Sequence, residues 1–238
     1  MPGLNSHISY LKSTYAVIVA GGSGSRMQSV LPKQFIELCG EPVLMHTIRA
    51  FQQSNSSPKI ILALHAGYHG LWAELCNKHN FTIPHTVITG GETRFHSVKN
   101  AIDTIDGKDA LIALHDAVRP LVSAAIIDEA YQCAFKDGTA VTAVKSRDSI
   151  RQVVDRRSTS LNRDNIYLVQ TPQTFQLALL KKAYEQPYTD NFTDDASVVE
   201  KSGVAITLIE GSYSNIKITF PEDITIAEAL INKKATIR

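Results

Sequence analysis

Features that would indicate export, a disulfide framework or a membrane anchor are scarce in this sequence. Its three cysteines, Cys39, Cys76 and Cys133, are odd in number and widely spaced, and no Cys-x-x-Cys occurs. This pattern argues against disulfides and a zinc site and favours reduced thiols, which predicts a cytoplasmic protein. No apolar run approaches the length that crosses a bilayer. The polar residues 1–14 are predicted to form a flexible N-terminal extension and not a signal peptide.

A strong charge of either sign is also absent. The sequence carries 24 lysines and arginines against 23 aspartates and glutamates, a formal net charge of +1. We therefore expect neither nucleic acid nor a membrane as a partner, and any bound anion needs a local site. The hydrophobic content of 44% fits an ordinary globular protein, which we predict to be a single domain over residues 15–238.

Short apolar runs alternate along the chain with segments of helical pattern. The predicted strands are Tyr15–Ala20, Lys59–Leu64, His85–Thr89, Ala110–His115, Thr139–Val144, Ala205–Glu210 and Asn215–Thr219. The predicted helices cover residues 42–53, 70–79, 94–105 and 123–135, and a last helix begins at Pro221. Because the strand-like runs are apolar on both faces, they predict an α/β fold with a mostly parallel sheet flanked by helices.

One segment, Lys145–Gln170, breaks this alternation. It contains five arginines and alternates polar with apolar residues, without the stripe of an amphipathic helix. This pattern predicts a β-hairpin arm that projects from the sheet. A merely solvated hairpin and an arm with a function both remain open from these residues alone.

The loop after the first strand, AGGSGSRMQSVLPKQF, lacks the spacing of three well-known motifs. A Walker loop needs a lysine directly after its last glycine, but Ser25 follows Gly24. The dinucleotide fingerprint needs a third glycine where Met27 stands, and no acidic residue ends the second strand. A nucleophile elbow is excluded because Ser25 takes the place of its second glycine.

What this loop does contain suits a chain of phosphates. Gly21, Gly22 and Gly24 let the backbone approach an anion closely and direct its N–H groups at it. Arg26 and Lys33 add two positive charges. These residues predict a site for a triphosphate with its metal. The alternative is a glycine-rich turn with two solvated basic residues.

A second glycine turn, ITGGETRFHS, follows a predicted strand and precedes a predicted helix. It should lie at the same edge of the sheet as the first loop, where ligands bind in open α/β folds. Gly90 and Gly91 free the backbone, while Glu92 and Ser97 offer polar groups that can contact a base edge. The alternative interpretation is an ordinary helix start.

Five other polar positions follow strands or precede helices. In LHDAVRP, Asp116 suits hydroxyls or a metal and Arg119 suits a phosphate, although the two can also form a local ion pair. Thr171 and Thr193 can each bind a phosphate oxygen, although Thr193 and the aspartate after it also fit a helix N-cap. Lys217, in a predicted apolar strand, must reach a ligand or solvent.

The eight histidines do not indicate a metal site. His65 and His69 are four residues apart, a spacing that brings two side chains together on a helix. However, His65 lies at a strand end, and the sequence has no His-Glu-x-x-His motif. We therefore predict no metal-binding residue.

The ordered set of motifs resembles one family, the 2-C-methyl-D-erythritol 4-phosphate cytidylyltransferases of non-mevalonate isoprenoid synthesis. The matching segments are AGGSGSRMQSVLPKQF, GGETRFHSV, HDAVRP, RDSIRQ, NRDNIYLVQTPQTF, FTDDAS and NIKITFPED. They occur in family order from Ala20 to Asp223. The resemblance implies a Rossmann-like nucleotidyltransferase fold. It also implies transfer from CTP to methylerythritol 4-phosphate with release of pyrophosphate, with Mg²⁺ held mainly by the CTP phosphates.

The resemblance also assigns roles to single residues. Arg26 and Lys33 match the pair that stabilises charge on the α-phosphate, and Lys217 matches a lysine near that phosphate. Arg163 matches the arginine that positions the sugar phosphate. The positions that match the cytidine pocket are Ala20, Gly21, Gly91, Glu92 and Ser97. The positions that match the surroundings of methylerythritol phosphate are Asp116, Arg119, Thr171 and Thr193, with Ser149 where relatives can have threonine.

The sequence differs from the family pattern at two positions, and the resemblance also implies an oligomeric state. The loop reads AGG where some relatives read AAG, and Glu92 replaces an aspartate of some members. In the family the arm is exchanged between two subunits, which implies a homodimer in which Arg163 and Ser149 serve the partner's site. Ribitol 5-phosphate as acceptor, or a nucleotide-binding protein without catalysis, are the alternatives to this function.

Overall fold

The computed structural model describes residues 13–21, 31–107 and 109–236, apart from the side chains of residues 234–236. The strands within this part of the chain are β1 (Ser13–Ala20), β2 (Glu37–Leu38), β3 (Glu41–Pro42), β4 (Lys59–Leu64), β5 (Thr86–Thr89), β6 (Ala110–Asp116), β7 (Thr139–Lys145), β8 (Ile150–Val154), β9 (Arg157–Leu161), β10 (Tyr167–Gln176) and β11 (Leu208–Glu210). The helices are α1 (Val43–Gln52), α2 (His69–Lys78), α3 (Arg94–Asp103), α4 (Ala124–Asp137), α5 (Leu177–Ala183), α6 (Asp195–Lys201) and α7 (Glu222–Thr236).

Seven of the described strands form one sheet in the order β11-β7-β10-β6-β1-β4-β5. All neighbours are parallel except β10, which pairs antiparallel with both β6 and β7. The predicted α/β class with a mostly parallel sheet is therefore confirmed. The first predicted strand begins two residues earlier than expected, because Ser13 and Thr14 continue the parallel register of β1 against β6.

Helices cover both faces of the sheet because successive side chains of a buried strand point to opposite sides. In β1, Ala16 and Ile18 pack with α1, α2 and α4 on one face. Val17, between them, packs with α3, α5 and α6 on the other face. A third apolar cluster joins α7 to the segment that follows β6, including Val118 and Ile218.

Two strand predictions near the carboxyl terminus need correction. The strand predicted at Ala205–Glu210 is shorter, since only Leu208–Glu210 pairs with β7. The prediction of a strand over Asn215–Thr219 is wrong. This segment instead attaches to the loop after β6, where the Ile218 N–H donates to the Val118 carbonyl oxygen at 2.9 Å.

The predicted arm is present as the hairpin β8–β9, which forms a separate two-stranded sheet. Its five cross-strand pairs run from Ile150 opposite Leu161 to Val154 opposite Arg157. Most of its side chains are exposed, including the large apolar Val153 and Val154. The hairpin therefore buries little surface against the rest of the described chain.

Two short helices, α5 and α6, were not among the predicted elements. Each has only seven residues, too few to show a helical stripe in the sequence. The start of α6 does have a local signal, a capping box in which the Asp194 carboxylate accepts from the Ser197 N–H at 2.8 Å. This confirms the N-cap alternative noted beside Thr193.

The carboxyl ends of four parallel strands lie at one edge of the sheet. Ala20 of β1 is level with Leu64 of β4, and Leu64 is level with Thr89 of β5. Asp116, the last residue of β6, is level with Val19. The predicted motifs after β1, β5 and β6 are thereby brought together at this edge, as expected for ligand binding in open α/β sheets.

Candidate active site

A cavity of about 440 Å³ lies at this edge of the sheet. Its described lining residues are Val19, Ala20, Gly21, Lys33, Gln34, Gly91, Glu92, Thr93, Arg94, Ser97, Asp116, Ala117, Val118 and Lys217. The lining therefore includes eight of the predicted site residues, which come from the loops after β1, β5 and β6 and from the segment before α7.

Lys33 lies in a short 3₁₀ turn that is fixed on both sides. The side chain of Gln34 is buried and donates from Nε2 to the Ala20 carbonyl oxygen at 2.9 Å, which ties the turn to the end of β1. The ring of Phe35 stacks on Trp72 of α2, with 6.4 Å between the ring centroids. Lys33 is therefore carried by a rigid support, as a positioned phosphate ligand requires.

The second glycine turn wraps around the hydroxyl of Ser97. The Gly91 N–H donates to Ser97 Oγ at 3.0 Å, and Ser97 Oγ donates to the Thr93 carbonyl oxygen at 2.9 Å. A Cβ atom on Gly91 would clash with His96, so this position needs glycine. A Cβ atom on Gly21 would lie 3.3 Å from Ser97 Oγ, so the two predicted nucleotide loops are adjacent.

Asp116 is the centre of the charged part of the cavity. In the described part of the chain, three cationic side chains approach its carboxylate. Lys217 Nζ lies 2.9 Å and Arg119 Nε lies 3.4 Å from Asp116 Oδ2. Arg94 Nε lies 3.5 Å from Asp116 Oδ1. Both carboxylate oxygens are thus engaged before any substrate is bound.

The protonation state of Asp116 follows from this surrounding. Burial alone would raise its pKa, but the charges of Arg94, Lys217 and Arg119 outweigh burial and hold the pKa below its ordinary range. Asp116 is therefore ionised at neutral pH and accepts hydrogen bonds without donating one. This property suits the binding of hydroxyl groups or of cations.

Arg94 and Asp195 are site residues that the sequence interpretation missed. Arg94 lines the cavity, and its Nη1 forms an ion pair with Asp195 Oδ1 at the start of α6. Burial lowers the pKa of Arg94, but the two carboxylates outweigh burial and raise it above the ordinary value. The arginine stands in the quoted motif ITGGETRFHS, whereas no sequence signal links it to Asp195, 101 residues away.

Arg119, Thr171 and Thr193 lie beside the cavity and are not among its described lining residues. Arg119 donates from Nη1 to the Asn215 carbonyl oxygen at 2.8 Å and pairs with Asp116, so the local ion pair that was the alternative to a binding role is present. Thr171 Oγ1 accepts from the Asp116 N–H at 3.1 Å. Thr193 is exposed and borders a small pocket next to Arg94. Their binding roles stay predictions.

Ser149 and Arg163 lie on the arm and not at the cavity of their own chain. Both are exposed, and Arg163 Nη1 donates to the Arg147 carbonyl oxygen at 3.3 Å. The predicted residues Gly22, Gly24 and Arg26 lie outside the described residues.

The two histidines that were weighed as metal ligands have other contacts. His65 Nδ1 accepts from the Gly67 N–H at 3.1 Å, and His69 Nε2 contacts the Leu64 carbonyl oxygen at 3.1 Å. Among the described residues, no group of three or more histidine, cysteine, aspartate or glutamate side chains has the arrangement of a metal site. No described helix is long and apolar enough to cross a membrane.

Comparison with known proteins identifies the family. The model of the IspD family, 2-C-methyl-D-erythritol 4-phosphate cytidylyltransferase, matches residues 14–233. The chain belongs to this family. The enzyme of that name from Azobacteroides pseudotrichonymphae is 48% identical to this chain, and the match covers 93% of this chain and 100% of the relative. The one from Bacteroides thetaiotaomicron is 46% identical, and the match covers 90% of this chain and 98% of the relative.

Solved structures agree with this assignment. The 2-C-methyl-D-erythritol 4-phosphate cytidylyltransferase of Francisella tularensis is 32% identical with a TM-score of 0.75, over 91% of this chain and 98% of the other. The 4-diphosphocytidyl-2C-methyl-D-erythritol synthase of Anaerococcus prevotii is 29% identical with a TM-score of 0.79, over 93% and 96%. The expected cytidylyltransferase fold is thereby confirmed.

Proposed function

We propose that this protein transfers the cytidylyl group of CTP to 2-C-methyl-D-erythritol 4-phosphate, giving 4-diphosphocytidyl-2-C-methyl-D-erythritol and pyrophosphate in isoprenoid precursor synthesis. One observation supports this most directly. The cavity joins a glycine-lined half, with Gly21, Gly91 and Ser97, to a charged half, with Lys217 and an ionised Asp116. A nucleotide fits the first half and a polyol phosphate fits the second.

The reaction joins two anions, so charge repulsion and alignment are its main obstacles. An oxygen of the acceptor phosphate attacks the α-phosphorus of CTP, and the bond to pyrophosphate breaks. Lys33 and Lys217 line the cavity and offset the charge that develops on the α-phosphate and on the leaving group. The acceptor phosphate is largely ionised near pH 7, so we assign no catalytic base.

Mg²⁺ is proposed to enter with the triphosphate and to be held mainly by phosphate oxygens. Asp116 and Glu92 are the carboxylates among the described lining residues. Because three cations already engage Asp116, its oxygens are poorly placed to form a protein metal cage. When bound, the ion supplies charge neutralisation on the phosphates.

On the acceptor side, Asp116 is proposed to accept hydrogen bonds from hydroxyls of methylerythritol phosphate. Arg119 and Thr171 support Asp116 from behind, through the ion pair and the backbone contact described above. Thr193 lies on the side of Arg94 that faces α6.

We also propose that the protein is a homodimer whose arms are exchanged, so that Arg163 and Ser149 reach the partner's cavity. The exposed hairpin supports this, because Val153 and Val154 are large apolar side chains left at the surface. A cytoplasmic location is proposed on the grounds of three free cysteines.

The direct test of the reaction is pyrophosphate release from purified protein with CTP and Mg²⁺. We expect turnover with methylerythritol 4-phosphate and little with ribitol 5-phosphate. The Lys33→Ala variant should lose about a hundredfold or more in kcat, because one charge-stabilising donor is removed. Preference for ribitol phosphate would overturn the acceptor, and wild-type turnover by Lys33→Ala would overturn the role of this lysine.

The arm exchange is tested by mixing two inactive variants, Lys33→Ala and Arg163→Ala. If the arm serves the partner, each mixed dimer contains one site with both native residues. Re-equilibrated mixtures should then recover up to about a quarter of the wild-type activity. No recovery, with mixed dimers verified by mass spectrometry, would contradict the exchange.

A further inference from the structure

Arg94 is held between two carboxylates of different surroundings. Its Nε lies 3.5 Å from Asp116 Oδ1, at the cavity. Its Nη1 pairs with Asp195 Oδ1, on the side away from the cavity. Asp195 does not line the cavity and is 1% exposed, and it borders the small pocket next to Arg94. The ion pair with Arg94 connects Asp195 to the cavity.

The surroundings of Asp195 make Arg94 its main electrostatic partner. The Tyr184 hydroxyl donates to Asp195 Oδ1 at 2.7 Å, and burial followed by the charge of Asp195 raises the pKa of Tyr184. Asp195 Oδ2 has no hydrogen-bond partner among the described residues. A buried carboxylate of this kind is costly unless a cation is kept beside it. Asp195 therefore restrains where the guanidinium of Arg94 can lie.

The same contact connects the start of α3 with the start of α6. Arg94 begins α3, directly after the glycine turn of the nucleotide half, and Asp195 begins α6, two residues after Thr193. Next to this ion pair, the ring of Phe95 stacks on Tyr184 at 4.6 Å and on Phe192 at 5.7 Å between centroids. The aromatic stack fixes the position of the start of α3 relative to the start of α6, and the ion pair fixes the side chain of Arg94.

We propose that Asp195 is a positioning residue for the acceptor: by anchoring Arg94, it holds the Asp116 carboxylate in the orientation that receives the polyol phosphate. The inference rests on the proposed function, since it takes Asp116 to bind the acceptor. Arg94 fixes one oxygen of Asp116, while Lys217 and Arg119 fix the other. Without the Asp195 carboxylate, Arg94 is free to move, and Asp116 Oδ1 then loses the cation that fixes it.

The test compares Asp195→Asn with Asp128→Asn, a matched change at another buried aspartate. Asp128 accepts hydrogen bonds from Asn55 and Ser56 and does not line the cavity. For Asp195→Asn we expect the KM for methylerythritol 4-phosphate to rise about tenfold, because small misplacements of binding groups are costly. The KM for CTP should change less than about twofold. Asp128→Asn should change neither KM.

A double-mutant cycle separates positioning from general structural damage. If Asp195 acts through Arg94, then Asp195→Asn added to Arg94→Gln should raise the acceptor KM by less than about twofold further. If the increases in acceptor KM caused by the two single substitutions multiply in the double variant, the proposal is overturned. Asp195→Glu keeps the charge and should recover part of the acceptor KM.

Tyr184→Phe provides a second variant should Asp195→Asn not fold. It removes one hydrogen bond from Asp195 but keeps the aromatic stack, and should raise the acceptor KM by about two- to threefold. An unchanged acceptor KM in the folded variants, or equal increases of both KM values, would overturn the inference. Failure of the wild type with methylerythritol phosphate would instead reject the proposed function.

Discussion

Two buried aspartates, Asp116 and Asp128, are similar in exposure, at 8% and 9%, and different in what surrounds them. Asp128 accepts four hydrogen bonds from neutral groups of Asn55 and Ser56, all in one loop. Asp116 is surrounded by cations from separate segments of the chain. The neutral donors around Asp128 belong to one loop, so this aspartate holds that loop in place and has a structural role, which we call a structural clamp. The cations around Asp116 come from separate segments and can also pair with a phosphate, so they form a site for an anion.

The largest difference between the two aspartates is expected when a cation is removed from beside Asp116 and a neutral donor from beside Asp128. Lys217→Met should lower kcat about a hundredfold, because a charge near the reacting phosphates is lost, and Lys217→Arg should recover part of it. Ser56→Ala removes the hydroxyl that donates to Asp128 at 2.6 Å and should leave kcat unchanged. Equal losses in steady-state pyrophosphate release would contradict the distinction.

The second test changes the aspartate of the active site itself. Asp116→Asn keeps the size of the side chain but leaves Arg94, Arg119 and Lys217 without their shared carboxylate. We expect kcat/KM for the acceptor to fall about ten- to a hundredfold, since a hydrogen bond to a charged group contributes about 1.5–3 kcal/mol. A folded Asp116→Asn variant with wild-type kcat/KM would show that Asp116 is only another clamp.

The third test measures stability at the clamp. Asp128→Ala leaves the backbone N–H groups of Asn55 and Ser56 without their acceptor, and should lower the free energy of unfolding by about 2–4 kcal/mol. Activity assayed well below the unfolding temperature should remain that of the wild type. Urea unfolding followed by circular dichroism measures the first quantity. A large loss of activity in the folded variant would contradict the purely structural role.

The smallest expected effect is the pH dependence of stability at Asp116. Since its folded-state pKa is lowered, its ion pairs contribute fully above the unfolded pKa, and this contribution is lost as the pH falls through the folded pKa. The difference in unfolding free energy between wild type and Asp116→Asn should be constant above about pH 5 and shrink below about pH 4. Urea unfolding across this range is the measurement. A difference that grows on acidification would contradict the assigned direction.

Regular periodic patterns made much of the fold predictable from sequence. The strands Lys59–Leu64 and Thr139–Lys145 were located within one residue because their apolar runs match strands buried on both faces. The antiparallel strand β10 was missed, since buried polar residues such as Gln173 and Thr174 interrupt its apolar pattern. The segment Asn215–Thr219 has strand composition but finds its hydrogen bonds in a loop.

The lining of the cavity was predictable where a residue ends a strand or follows a glycine-containing loop. Asp116, Lys33 and Ser97 line the cavity as expected, because chain order and strand ends place them at one edge of the sheet. The pairing of Arg94 with Asp195 was not predictable, since it depends on how α3 and α6 meet in the folded chain. Contacts between distant segments have no periodicity that a single sequence can show.

The packing of Phe35 on Trp72 has a practical consequence. The sequence contains one tryptophan, so the indole fluorescence of the whole protein arises at this place. Phe35 lies two residues beyond Lys33 and touches that indole. A ligand that displaced Phe35 would alter the surroundings of this indole, so the emission of Trp72 is a direct optical probe of the turn that carries Lys33.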